Sequence, residues 1–310
     1  MKNQKIVTGF LMLIITAVSL TTASYAWFSN NAVVTLAGLD VNVTAADGIQ
    51  VSTDASTWKA SLAIADITDN AYTGNTNQVP SILAPVSTIG SQATGTFAMF
   101  DGTIVEGSTS TLTAAAAAAE ADGSTGNYVA FDLFIKSAIA QNIYLDTDSG
   151  IDATGTSVGL EYATRMAFFN QGTDATSTPA TARALELGTS ATQTFFEPNA
   201  LTHTTYALAN GATDGVKEPY YGVKAIGTGL SLDPAAEALD TTHFSAMTTI
   251  TPDTDTTPYE KIAGNVVFQV SAGITKVRVY IWMEGQDIDC ENSVSLGTGV
   301  TVNIKFGKQP

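Results

Sequence analysis

The chain is short of several residue types, and each shortage excludes something. There is one cysteine, Cys290, so no internal disulfide can form. A lone thiol of this kind is expected to be buried as a small hydrophobe. There are two histidines, His203 and His243, far apart in Thr-rich surroundings, and no HExxH pattern. Catalytic zinc sites take their ligands from His with Glu, Asp or Cys, so zinc-dependent hydrolysis is not expected. Charged residues make up only 14% of the chain, and the excess is acidic, with a net charge of −16. Nucleic acid, which is held through Lys and Arg on phosphates, is therefore not expected as a partner. Lys305 to Pro310 carries neither an apolar tail nor a sorting motif.

What is present begins with the leader. Met1 to Lys5 is basic, Ile6 to Leu20 is apolar or small, and Ser24 and Ala26 place small residues two apart. That is the order of a secretory signal peptide. Cleavage is expected after Ala26, leaving residues 27–310 to fold outside the cytoplasm, secreted or at the cell surface. The competing reading is a retained anchor, because residues 6–28 are long enough to cross a bilayer. A surface filled by Thr, Ser, Ala and Gly suits a wall or matrix protein, and equally a β-rich adhesin.

Strands dominate the pattern. Leu39 to Thr44 alternates apolar and polar, the period of a half-buried strand. Residues 48–52 and 56–58 flank a turn at Thr53 to Ala55. Tyr128 to Ser137 puts Val129, Phe131, Leu133 and Ile135 on one face, and Ile143 to Leu145 is expected antiparallel to it. Arg165–Phe169, Asn265–Val270, Val277–Met283 and Val300–Phe306 complete the set. Two short helices are candidates: Ala114 to Ala119 behind Thr113, with a low-complexity insertion as its alternative, and Asp233 to Leu239 with an early proline. Many short strands without a βαβ rhythm predict an all-β protein. Residues 27–310 should form a single antiparallel β-sandwich domain with one or two short helices at most. Long loop insertions are expected near 100–127, 171–194 and 208–260.

Motifs for catalysis are weak. Gly155, Ser157 and Gly159 match GxSxG, but that elbow needs a strand before it and a helix after it, and the turn-like Asp146 to Asp152 precedes it here. Asp148-Ser-Gly150 lacks the second copy an aspartic-protease pair requires. No enzyme is predicted. The acidic run Glu284, Asp287, Asp289 and Glu291 could surround Ca²⁺ with oxygen ligands, and a solvated turn is the plainer alternative. Asp146, Asp148 and Asp152 form a weaker cluster of the same kind. Calcium is the one cofactor considered. Tyr220 and Tyr221, behind Pro219 in a loop, are candidates for stacking on sugar rings, whereas Trp58 is expected to pack in the core or in its hairpin.

Ser24 to Asn30, followed by Gly38-Leu-Asp-Val41, resembles the start of the camelysin/TasA family of exported matrix-fibre proteins of Gram-positive-type bacteria. Short segments at 128–136, 160–168, 196–199 and 280–290 are similar to a larger group of exported proteins from Gram-positive-type anaerobes. The resemblance covers about a third of the chain after the leader, and Gly-Leu-Asp stands where the family has Gly-Thr-Leu-Asp. It implies a jelly-roll-like β-sandwich, export, and assembly into extracellular fibres or biofilm matrix. On that reading the chain polymerises with itself through strand donation. Trp27, Phe28, Val33, Val34 and Leu36, freed by cleavage, would fill an open sheet edge. The alternative is a monomeric surface adhesin or carbohydrate-binding module for cell-wall or matrix polysaccharide.

Overall fold

A computed structural model describes residues 34–35, 40–44, 48–69, 72–75, 77–80, 82–90, 92–93, 96–105, 111–117, 125–154, 160–186, 192–197, 221–231, 242–246, 266–285, 290 and 299–308. In chain order the strands are Val34–Thr35 (β1), Asp40–Thr44 (β2), Ile49–Ser52 (β3), Ser61–Leu62 (β4), Ile82–Leu83 (β5), Gln92–Ala93 (β6), Thr96–Phe97 (β7), Phe100–Val105 (β8), Thr111–Ala116 (β9), Thr125–Gly126 (β10) and Val129–Ser137 (β11). There follow Gln141–Leu145 (β12), Gly150–Thr154 (β13), Thr164–Asp174 (β14), Thr192–Phe196 (β15), Tyr221–Val223 (β16), Gly227–Ser231 (β17), Phe244–Ala246 (β18), Val266–Val270 (β19), Gly273–Met283 (β20) and Gly299–Lys308 (β21). Among the described residues, helix is confined to the short segments Ile64–Asp69, Leu160–Ala163 and Pro179–Arg183.

The protein is an all-β sandwich, as its alternation predicts. One sheet has the order β15-β14-β20-β11-β3, and the other runs β19-β12-β21-β2-β4 with β13 also on β21. The chain crosses between the sheets at β2 to β3, β3 to β4, β11 to β12, β13 to β14, β19 to β20 and β20 to β21, a jelly-roll-like winding. Phe131, Leu133, Phe168 and Val279 from the first sheet meet Phe268, Val302, Ile304 and Phe306 from the second. The rings of Phe168, Phe268 and Phe306 form a triangle with centroids 5.5 to 6.3 Å apart. Burying a side chain of this size contributes about 1.5–3 kcal/mol, so this interface is the main stabilising layer.

The first sheet is covered on its outer face as well. Val86, Phe97 and Met99 lie over Tyr128, Phe169, Tyr280 and Trp282 at one end. At the other end Trp58, Tyr72 and Ala182 lie over Phe134 and Ile274. Trp58 thus packs beside its hairpin, with the Lys136 ammonium 5.5 Å from its ring centroid.

Several expectations are corrected. Residues 114–116 belong to β9, not to a helix. Leu112 and Ala114 are buried against Phe100, Val223, Leu230 and Cys290, and this packing overrides the helical preference of alanine. Cys290 itself is buried, as predicted. The other helix candidate, Asp233 to Leu239, lies outside the described residues. β12 does not pair with β11. Both edges of β11 are taken, by β20 and β3, so β12 joins β19 and β21 in the opposite sheet. The insertions are not simply loops: β8, β9 and β17 form a sheet of their own. The GxSxG segment does follow a strand, β13, and precedes a four-residue helix. That strand is antiparallel to β21 in an all-β sandwich, not part of the α/β sheet that raises a nucleophile elbow, and Ser157 lies outside the described residues.

Candidate functional site

Between the two apolar covers, the outer face of the first sheet carries charge. Side chains alternate across a strand, so Ala130, Asp132 and Phe134 of β11 point outward together. So do Ile274, Lys276, Arg278, Tyr280 and Trp282 of β20. Asp132 and Arg278 are direct cross-strand partners. Arg278 Nη1 donates to Asp132 Oδ1 at 3.0 Å and to Asn77 Oδ1 at 3.0 Å. Asn77 Oδ1 also accepts from the Asp132 backbone N–H at 2.8 Å. The Tyr72 hydroxyl donates to Asp132 Oδ2. Lys276 Nζ lies 3.5 Å from that same oxygen and donates to the carbonyls of Arg183 and Leu185 at 2.9 and 2.8 Å.

These charges are almost fully buried, and such charges persist only when paired and hydrogen-bonded. Asp132 is the shared counter-ion. Burial pulls the Lys276 ammonium below its usual range, and the attraction of Asp132 opposes that. Burial pushes the Tyr72 hydroxyl upward, and the neighbouring Asp132 charge adds to it. Burial does the same to Tyr280. Two guanidinium groups lie over rings: Arg183 over Tyr72 at 5.2 Å and Arg278 over Tyr280 at 5.7 Å.

A cavity of about 670 Å³ opens on this cluster, with Phe97, Phe100, Tyr128 and Tyr280 among its walls. Its polar lining includes Gln78, Gln171, Arg183 and Glu186 besides the Asp132 cluster. Gln171 Oε1 is buried there without a hydrogen-bond partner. The arrangement can present hydrogen-bond donors, an amide and aromatic faces to a small polar ligand. The sequence reading missed this site. Its signal was legible in part: charged residues at 132, 276 and 278 sit among apolar neighbours in the middle of strand faces.

Of the expected calcium, assembly and sugar-stacking residues, Glu284, Val34 and Tyr221 are described, with Asp146, Asp148 and Asp152. Glu284 is buried, and its carboxylate accepts from Trp282 Nε1 at 3.2 Å and the Thr88 backbone N–H at 3.4 Å. It is thereby turned toward the aromatic cluster, which leaves Asp287, Asp289 and Glu291, outside the described residues, as the remaining calcium candidates. Asp146 and Asp148 are answered by Lys305, and Asp152 accepts from Asn303 at 3.4 Å. Among the described residues no group of three or more His, Cys, Asp or Glu is placed to hold a metal. Tyr221 opens β16 opposite Ala246; Tyr220 lies outside the described residues.

Of the proposed assembly segment, Trp27, Phe28, Val33 and Leu36 lie outside the described residues, as does the leader. Val34, in β1, pairs with Leu83 of its own chain. Just beyond it, β2 runs parallel to β21 over five paired positions, Asp40↔Thr301 to Thr44↔Lys305. On its other side β2 meets β4 at two positions only. Comparisons with protein-family models, curated proteins and solved structures find no match to this chain. The fold and the pocket together define the class: an all-β sandwich with a charged, aromatic-walled recess on one outer face.

Proposed function

We propose that the chain is an exported structural protein that self-assembles, through donation of its N-terminal strand, into extracellular or cell-surface fibres. The supporting observation is the parallel β2–β21 pair. The sandwich sheets are otherwise antiparallel, and β2 comes from the opposite end of the chain from its main partner. All five residues of β2 pair with that one neighbour. The same segment from a second copy would make the same ladder, and such strand exchange is a low-cost route between monomer and assembly. In the closed monomer β1 and β2 lie on their own chain.

Removing residues 27–44 tests this. The expected product is a folded monomer that no longer assembles and that binds a synthetic peptide of that segment. Full-length protein without its leader that stays monomeric at every concentration, by light scattering and negative-stain microscopy, overturns the reading. A second reading, a monomeric surface adhesin or carbohydrate-binding module, is favoured by the outer-face pocket. It predicts specific glycan capture by a protein that never sediments as fibres.

A further inference from the structure

We propose that the outer-face pocket binds a carboxylated sugar unit of an acidic polysaccharide. The inference rests on the second reading above only in taking the pocket as a glycan site. A fibre subunit could carry the same pocket.

Three observations lead to the ligand class. First, the chain has 13 Lys and Arg against 29 Asp and Glu, yet three cations, Arg183, Lys276 and Arg278, line this one recess beside two acids, Asp132 and Glu186. Asp132 is consumed internally by Arg278, Lys276 and Tyr72. The recess therefore carries positive charge in a protein that is otherwise strongly negative. It would draw in an anion that the rest of the surface repels.

Second, donor capacity remains where a ligand can reach it. Lys276 is occupied by Asp132 and two carbonyls. Arg183 is only half-buried and spends one Nε and one Nη2 donor, on Asp54 O at 2.7 Å and Ser56 Oγ at 2.6 Å. A guanidinium has about five N–H donors in a planar fork that matches a carboxylate, so Arg183 can meet one edge-on. The unanswered Gln171 amide oxygen in the same wall suits a sugar hydroxyl.

Third, the walls are aromatic. Phe97 sits 4.9 Å from Tyr280, and Tyr128 sits 5.8 Å from it, centroid to centroid. Ring faces of this kind pack the C–H side of a pyranose, which neither a bare inorganic anion nor a flexible polyol phosphate offers. The volume lies within the roughly 300–1,000 Å³ typical of small-ligand sites, enough for a short stretch of a glycan chain.

The test is calorimetric titration of the purified protein with a galacturonic acid tetramer, the matching neutral galactose tetramer, and polyglycerol phosphate. The acidic tetramer should bind about tenfold or more tightly than the neutral one, as expected for a charge-assisted contact, and weaken with added salt. Arg183→Gln should lose about that factor. Ala116→Trp should abolish binding by plugging the pocket from the exposed end of β9, while its melting temperature stays that of the wild type. Equal binding of both tetramers overturns the carboxylate assignment but leaves a glycan-binding module standing. Equal binding of polyglycerol phosphate overturns the sugar assignment in favour of any polyanion. Binding unaffected by Ala116→Trp removes the pocket as the site. Binding of none of the three ends both the assignment and the glycan reading.

Discussion

Strands β20 and β21 are successive in the described chain and face each other across the core, yet they are buried differently. Every residue of β20 is buried, including Lys276 and Arg278. Along β21, Val302, Ile304 and Phe306 are buried while Thr301, Asn303 and Lys305 between them are only partly so. Among the described residues, the first sheet is covered on both faces, whereas the outer face of β21 is partly open to water. The lesson is that the cover, not the strand, creates the pocket. Charges that would be solvated on an open sheet become a paired, aromatic-walled cluster when loops and small sheets close over them.

The comparison breaks most readily at the covered end. Trp282→Ala should cost about 3–5 kcal/mol, the range for emptying a large aromatic site, while Thr301→Ala on β21 should stay within about 0.5 kcal/mol. Urea unfolding of both variants decides it, and similar midpoints would mean that the cover over Trp282 is not part of the stable unit.

Removing a counter-ion sharpens the contrast next. Asp132→Leu strands two buried cations and should cost about 3 kcal/mol. Asp148→Ala breaks the exposed pair with Lys305 and should cost less than about 1 kcal/mol. Thermal melts at fixed pH and salt compare them, and an Asp132→Leu protein as stable as the wild type would show the cluster to be dispensable.

Backbone substitutions come third. Gly273 has φ +130°, and a Cβ added there would sit 2.2 Å from the Asp174 carbonyl oxygen. Gly273→Ala should therefore cost about 2 kcal/mol or more. Gly150, at the start of β13, has open space around it, so Gly150→Ala should be neutral or stabilising by up to about 1 kcal/mol. The sign of the difference in unfolding free energy is the readout.

The smallest expected effect is in the pH profile. Burial pushes the Asp54 carboxyl up, but the Thr57 and Ser56 N–H groups, with the Ser52 and Thr57 hydroxyls, hold it at about 2. Its stabilisation is full above the ordinary value of 3.8 and is lost as pH falls toward about 2. With solvent screening it should amount to about 1 kcal/mol. Lys305, on the open sheet, is raised by its bond to Asp148. Its contribution is present below the ordinary 10.5 and is lost as pH rises through the raised value. Asp54→Asn should flatten only the acid limb and Lys305→Met only the alkaline limb. A profile unchanged by either substitution would show these contacts to be energetically silent.

Much of the sandwich was legible beforehand. Val129 to Ile135 and Val300 to Phe306 alternate so regularly that strand identity and inward face follow directly. The turn at Thr53 to Ala55 was also readable, because Asp54 is suited to capping the following N–H groups. The pairing of β12 was not, since β11 and β12 are neighbours in sequence and nothing local says that both edges of β11 are already filled. The alanine run of β9 misled for a related reason: its local preference is helical, and only contact with Phe100 and Leu230 makes the extended form favourable. The pocket was the largest omission. Asp132 lies on β11 and Lys276 and Arg278 on β20, far apart in sequence, and Tyr72, Asn77 and Arg183 reach them from loops and a short helix.

Local pattern alone decides that this chain builds strands, which side of each faces the core, and that its surface is acidic and poor in metal-ligating histidine. These are properties of side-chain period and composition, set within a few residues. Tertiary structure alone decides that the N-terminal β2 runs parallel to the C-terminal β21, that Glu284 accepts from Trp282 and Thr88, and that the cations gather around Asp132. Each of those depends on residues far apart in sequence brought together by sheet order, and burial then amplifies interactions that would be weak in water.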